Sequence, residues 1–343
     1  KPGEKRVFLF DDLPVRRTEF GKTDALTLGA DGPVDLLNLI GSGETFLAAF
    51  VQGDARGSRL VIPDTVVPRT QGVRMFGGIK NESFEEADVV LRIYSREGDL
   101  QQEVTETIAG RGTFSIRPGS SPFYNMPPSG WIEVQGKGAA PLSGFQYLAN
   151  ASGVESLFAL PVDGVKKFVS HIPEPGYWTT TLTLINPNSR QNSVRLHPAL
   201  AGVDTAEDIV LLLGPHEKRV MELQEPFGKY AGDPLYHSIL EITGTSPLAG
   251  YVSYGVLNGT DIASYPLLDE SALKSALTLP HYPGNDGYWW TGVVVFNPSD
   301  APQTARIEPY GHDRKLMAGH ERTVDLAPGA YEVSGDAVVV VTL

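Results

Sequence analysis

A strand pattern that returns three times, about one hundred residues apart, constrains this chain more than any other feature. Val66–Ser83 reads VVPRTQGVRMFGGIKNES, Phe168–Ser189 reads FVSHIPEPGYWTTTLTLINPNS, and Leu277–Ser299 reads LTLPHYPGNDGYWWTGVVVFNPS. Each holds an apolar strand, a Pro/Gly loop, a second strand, and a turn that opens at Asn81, Asn186 or Asn297. A second pattern occurs at Leu36–Pro63, Trp131–Pro161, Ile239–Leu267 and Tyr331–Leu343, where an alternating strand meets a Gly at 41, 136, 244 or 335. A Gly-rich strand follows, and in the first three copies a short closing strand comes next. Apolar runs broken at short intervals by Gly, Pro, Asn and Asp are the mark of strands and turns. Helical periodicity is confined to Asp269–Ala276. The expected fold class is all-β.

Cutting the chain at these marks gives modules of about four strands: Thr23–Pro63, Asp64–Gly110, Arg111–Pro161, Val162–Gly214, Pro215–Asp269, Leu273–Gly319 and His320–Leu343. The last has three strands, Arg322–Leu326, Tyr331–Ser334 and Ala337–Leu343. Lys5–Asp11 (KRVFLFD) looks like the closing strands SRLVIPD, ESLFALPVD and ASYPLLD. In this count the chain resembles seven-bladed β-propellers. The resemblance implies one closed repeat domain over 1–343, with the N-terminal strand completing the last blade. It rests on strand counting and on no family motif such as a WD dipeptide. Closure would remove the two unpaired sheet edges of an open ring. A rival arrangement pairs modules into units of about 100 residues, as in tandem immunoglobulin-like β-sandwich repeats of bacterial surface proteins. The spacing of Asn81, Asn186 and Asn297 fits both.

The net charge of −13 opposes binding to nucleic acid, whose phosphates it would repel. Arg16–Arg17 and Lys166–Lys167 are isolated pairs, expected on a solvated surface. There are no cysteines, which removes disulfides, thiolate metal sites and a Cys nucleophile. No apolar stretch approaches the ~20 residues of a bilayer span, so membrane insertion is not expected. The chain opens at Lys1 without a Met, which fits an extracellular or periplasmic destination.

On a propeller, the loops Arg117–Gly130, His171–Trp178, Gln224–His237 and His281–Trp290 would share one face. They carry Phe123, Tyr124, Tyr177, Trp178, Phe227, Tyr230, Tyr236, Tyr288, Trp289 and Trp290, rings suited to stacking on sugars or gripping a peptide. The same rings also suit the space between sheets, especially Tyr177–Trp178 and Tyr288–Trp289, which sit just before a strand. His171 and His281 occupy equivalent places, but the third copy has Val66 there, so no metal site is expected, and His237 or Asp286 would have to complete one. Glu82, Glu85 and Glu86 share a turn and Asp204, Glu207 and Asp208 a loop, where adjacent acids are usually solvated. Asn81, Asn150 and Asn258 head sequons and read as turn residues.

No GxSxG, HExxH or P-loop is present, and no cofactor is implied. The leading expectation is a non-enzymatic exported binding or protein-interaction module, its aromatic loops facing a glycan or protein ligand. One alternative is a propeller-type enzyme acting on polysaccharide through paired carboxylates. The other is a structural repeat segment of a larger surface protein.

Overall fold

The structure, a computed structural model, describes residues 37–41, 47–51, 56–65, 74–149, 154–173, 178–199, 207–223, 239–256, 262–270, 273, 293–299, 301–310, 315–319, 321–328, 331–334 and 340–342. It is all-β, as the turn-punctuated alternation requires. A hairpin of β1 (Leu37–Gly41) and β2 (Leu47–Val51) comes first. Nine strands follow: β3 (Arg59–Ile62), β4 (Arg74–Asn81), β5 (Ala87–Tyr94), β6 (Leu100–Ile108), β7 (Thr113–Ile116), β8 (Trp131–Gly136), β9 (Leu142–Ala149), β10 (Val154–Phe158) and β11 (Leu160–Pro161). The next nine are β12 (Lys166–Val169), β13 (Trp178–Ile185), β14 (Asn192–Ala199), β15 (Ile209–Leu213), β16 (Lys218–Glu222), β17 (Ile239–Gly244), β18 (Ala249–Val256), β19 (Ile262–Pro266) and β20 (Leu268–Asp269).

The two sets of nine match strand for strand. Sheet I runs β10-β9-β4-β7 and sheet II runs β11-β3-β8-β5-β6. In the second repeat sheet III runs β19-β18-β13-β16 and sheet IV runs β20-β12-β17-β14-β15, the same two orders. Sheets I and II enclose one core, including Ile79 and Ile116 from one side and Leu91 and Val134 from the other. Sheets III and IV enclose another, with Leu182 and Val252 facing Leu196 and Ile242. Sheets II and III meet through Val61, Trp131, Ile185 and Tyr251. The four sheets therefore lie face against face in turn, a propeller-like arrangement of four sheets.

The seven-blade count is not supported. A propeller blade joins consecutive strands by hairpins, whereas here the chain crosses between sheets: β3 pairs with β8 and β4 pairs with β9. The strands counted for a seventh blade also divide. In the third copy, β21 (Val293–Phe296) pairs antiparallel with β24 (Tyr331–Ser334) and parallel with β25 (Val340–Thr342). Meanwhile β22 (Gln303–Ile307) pairs with β23 (Arg322–Leu326). Local periodicity marks a strand but carries no information about a partner seventy residues away. The segment SRLVIPD, grouped by its sequence with closing strands, instead opens the first repeat in the place that β12 holds in the second. Lys5–Asp11, the proposed closing strand, lies outside the described residues.

The recurrent Asn has a physical explanation. Asn81, Asn186 and Asn297 are all fully buried. Each side-chain amide donates to three backbone carbonyls: Glu85, Ile108 and Ala109 for Asn81; Arg190, Leu213 and Gly214 for Asn186; Ala301, Leu326 and Ala327 for Asn297. Each side-chain oxygen accepts the N–H two residues on, from Ser83, Asn188 or Ser299. One side chain thus ties a strand end to the neighbouring hairpin in every copy and satisfies backbone groups that would otherwise be buried unpaired. The sequon at Asn81 is a corner whose amide nitrogen is already in use. Asn150 and Asn258 lie outside the described residues. The recurrent Gly marks a chain reversal: a Cβ on Gly136 would lie 2.9 Å from the Ala140 oxygen, and one on Gly244 would lie 2.7 Å from the Ser246 oxygen.

Candidate functional site

The face where the first two repeats meet gathers the buried charges Asp64, Glu133 and Lys218. The central strands of sheet II are covered on both sides, one face looking into the core and the other towards the second repeat. Their outward residues are not all apolar. On β8 the outward positions are Trp131, Glu133 and Gln135, and on β5 they include Arg92 and Tyr94. Arg92 stands directly opposite Glu103 on one side and Glu133 on the other.

The hairpin between β15 and β16 reaches across the junction. His216 at its tip has φ +54°. Its ring stacks on Tyr94 at 4.4 Å between centroids, and Tyr94 stacks in turn on Trp131 at 4.7 Å. The His216 carbonyl accepts the Trp131 indole N–H at 2.9 Å. Opposite, Gly98 (φ +98°) lets the β5–β6 turn pass so close that a Cβ would lie 2.2 Å from the Pro215 oxygen.

Beside the stack lies a buried ion pair. The Lys218 ammonium binds the Asp64 carboxylate and donates to the Pro63 carbonyl at 2.7 Å. The other Asp64 oxygen accepts from the Tyr251 hydroxyl at 3.0 Å and the Gln146 amide at 3.1 Å. The two side chains are 2% and 9% exposed. Such a pair contributes little net stability, but removing one partner strands the other charge in the interior. The two repeats are thereby held in one relative position.

A cleft of about 520 Å³ opens at this junction, lined by Arg59, Arg92, Tyr94, Glu133, Gln135, Pro187, Asn188, Ser189, Arg190, His216 and Ser246. Glu133, 4% exposed, is clamped from both sides, by Arg59 Nε at 2.5 Å and Arg92 Nη1 at 3.3 Å. Arg92 also reaches Gln135 at 3.0 Å and Glu103 at 2.8 Å. Burial, helped by the Glu133 charge, pushes the Tyr94 hydroxyl up to about 12. Burial also holds the His216 imidazole below its ordinary value. Glu133 is thus the shared counter-ion of two guanidiniums.

Of the expected ligand-binding residues, His171 and Trp178 are among those described, and neither lines this cleft. His171 is buried and occupies the place of Asp64 in the second repeat; its carbonyl accepts the Tyr254 hydroxyl at 2.8 Å. Trp178 opens β13, paired with Val256. Tyr177, Phe227, Tyr230, Tyr236, His281, Tyr288, Trp289 and Trp290 lie outside the described residues, as do Asp204, His237 and Asp286. Phe123 is fully buried in the first core, whereas Tyr124 is exposed. Glu82 is paired with Lys80 and Arg111 and accepts from the Ser143 hydroxyl, while Glu85 and Glu86 are exposed. Asp208 accepts from His197 at 2.6 Å and Arg195 at 3.2 Å, and the His197 contact leads in holding its carboxyl low. Lys167, expected on the surface, is 4% exposed and bound to Asp269 at 2.6 Å. Among the described residues no group of three or more His, Cys, Asp and Glu could hold a metal ion.

Sequence reading missed the cleft, although a faint signal was there. Arg59, Glu103 and Glu133 have charged counterparts in Lys166, Asp208 and Glu241 at equivalent places in the second repeat, and Lys166 pairs with Glu241 at 3.2 Å. No model of a known protein family, no curated protein and no solved structure matches the chain.

Proposed function

We propose that this chain is a non-enzymatic, exported binding or interaction module for a glycan or protein ligand, with the cleft between its first two repeats held in fixed geometry. The observation that carries the reading is the locked junction. The Lys218–Asp64 pair and the Trp131–Tyr94–His216 stack pre-organise a polar cleft, and the carboxylate within it, Glu133, is consumed as a counter-ion. Pre-organisation lowers the ordering cost of binding. The test is a glycan array together with a pull-down, repeated with Trp289→Ala and Tyr230→Ala in the aromatic loops. A specific ligand is expected. Silence in both assays, with both variants behaving as the parent protein, would defeat the proposal.

A second reading, a repeat segment of a larger surface protein, is favoured by the way the junction recurs. Val61, Trp131, Leu160 and Ile185 pack at the first junction, and their counterparts Phe168, Ile239, Leu268 and Phe296 pack at the second. A face that is reused in this way suits head-to-tail arrays. Finding further copies of the Asn corner in a longer native chain would support it.

A further inference from the structure

We propose that the cleft between the first and second repeats binds a carboxylate-bearing saccharide, of the uronic acid type, through Arg59, Arg92 and Arg190. This rests on the reading of the chain as a binding module and names the ligand class for its cleft.

Charge is the first argument. Three guanidiniums and a single carboxylate line the cleft, in a chain whose net charge is −13. A local cationic cleft in an acidic protein selects anions at that spot and repels them elsewhere. The second argument is the supply of unused donors. Arg59 spends Nε on Glu133 and Nη2 on the Pro187 carbonyl, and Arg92 spends Nε on Glu103 and Nη1 on Glu133 and Gln135. Arg59 Nη1, Arg92 Nη2 and the Arg190 guanidinium have no partner among the described residues. His216 Nδ1 is buried and also lacks one there. The buried His216 Nδ1 is costly unless something fills the place, and the unspent planar fork of Arg190 matches a carboxylate, with Arg59 Nη1 and Arg92 Nη2 as single donors beside it.

The rest of the lining indicates what carries that carboxylate. Gln135, Asn188, Ser189 and Ser246 surround the arginines with amides and hydroxyls, which match a ring of sugar hydroxyls better than an apolar chain. A volume of about 520 Å³ lies within the range of small-ligand sites and accommodates a sugar unit.

The second junction supplies an internal control. There the place of Arg92 is taken by His197, that of Arg190 by Ala301 and that of Arg59 by Lys166, so none of the three cleft arginines has an arginine counterpart, and the guanidinium that is present, Arg195, is spent on Asp208 and Glu241.

The test uses calorimetric titration of the full chain with digalacturonate, with neutral galactobiose, polyglutamate and inorganic phosphate as comparison arms. Saturable binding of digalacturonate is expected, at least tenfold tighter than in any other arm and weakening with salt. Arg190→Ala, an exposed position, should weaken it about tenfold, and Arg190→Lys should restore only part. Ala301→Arg at the second junction should leave the first site unchanged. Absence of digalacturonate binding, equal binding of galactobiose, or affinity unchanged in Arg190→Ala would overturn the proposal, as would preference for polyglutamate or phosphate. A glycan lost on Trp289→Ala but kept in Arg190→Ala would overturn this assignment while leaving the binding-module reading intact.

Discussion

The first and second repeats share a fold and differ in what surrounds it. Their strand orders, two-sheet cores and buried Asn corners coincide. The residue in left-handed conformation at the hairpin tip differs: Arg111 (φ +62°) lies over the exposed Phe84 of its own repeat at 4.2 Å, while His216 stacks across the junction on Tyr94. Lys218, buried against Asp64, has Thr113 as its counterpart. The edge strand differs too: Val210 and Leu212 are exposed on β15, where β6 has Thr105 and Thr107 and β23 has Thr323 and Asp325. Interior positions and the corner set the topology, so both copies keep them. Docking is decided by a few outward positions, which are free to diverge.

The largest expected effect sets the two copies furthest apart. Lys218→Met should cost about 3–5 kcal/mol in urea unfolding, because Asp64 stays buried without its counter-ion, and adding Asp64→Leu should recover most of that loss. The counterpart change Thr113→Met should cost less than about 1 kcal/mol. Equal losses would mean that the junction adds nothing to the second repeat.

The corner should erase the contrast. Asn81→Ala and Asn186→Ala each leave buried carbonyls unsatisfied, for a loss of about 2–3 kcal/mol at either position. A marked inequality in the chemical denaturation midpoints would show that the matched geometry hides unequal energetics.

At the hairpin tips the contrast returns on a smaller scale. His216→Gly relieves the positive φ but gives up an aromatic stack, a net loss of about 1 kcal/mol. Arg111→Gly should be neutral within about 0.5 kcal/mol, since relief of the backbone offsets a surface cation–π contact and added chain entropy. His216 also brings a pH dependence. Its folded pKa lies below the ordinary imidazole value, so the unfolded chain binds the proton more readily. Its contribution is present above the ordinary value and is lost as pH falls below it towards the folded one. Thermal unfolding between pH 7 and pH 5 should show that loss, and His216→Asn should flatten it.

The smallest effect on stability is expected at the edge strand. Val210→Thr with Leu212→Thr gives β15 the polarity of β6 and should change stability by less than about 0.5 kcal/mol. Light scattering should nevertheless show less self-association, because an exposed apolar edge is a template for pairing. Unchanged scattering would mean that the edge is covered in solution.

Much of this was legible in the sequence. Arg322–Leu326 and Tyr331–Ser334 are strands with the expected bounds, and the turns at Asn81, Asn186 and Asn297 are the same corner three times. Alternation and turn chemistry act over a few residues, so a single sequence displays them. Which strands pair was not legible: β3 with β8, and β4 with β9, are contacts across the whole repeat that depend on which faces can share a core. The cleft was hidden for the same reason. Arg59, Arg92, Glu133 and His216 sit far apart in the chain, and each alone reads as an ordinary surface charge or turn residue. By itself the sequence determined the all-β class and the recurrence of the turn that opens at Asn81, Asn186 and Asn297, since local periodicity and turn chemistry are short-range. Only the tertiary structure decided that β3–β20 pair into four sheets and that the first repeat meets the second through an arginine-lined cleft, because long-range packing is what brings those residues together.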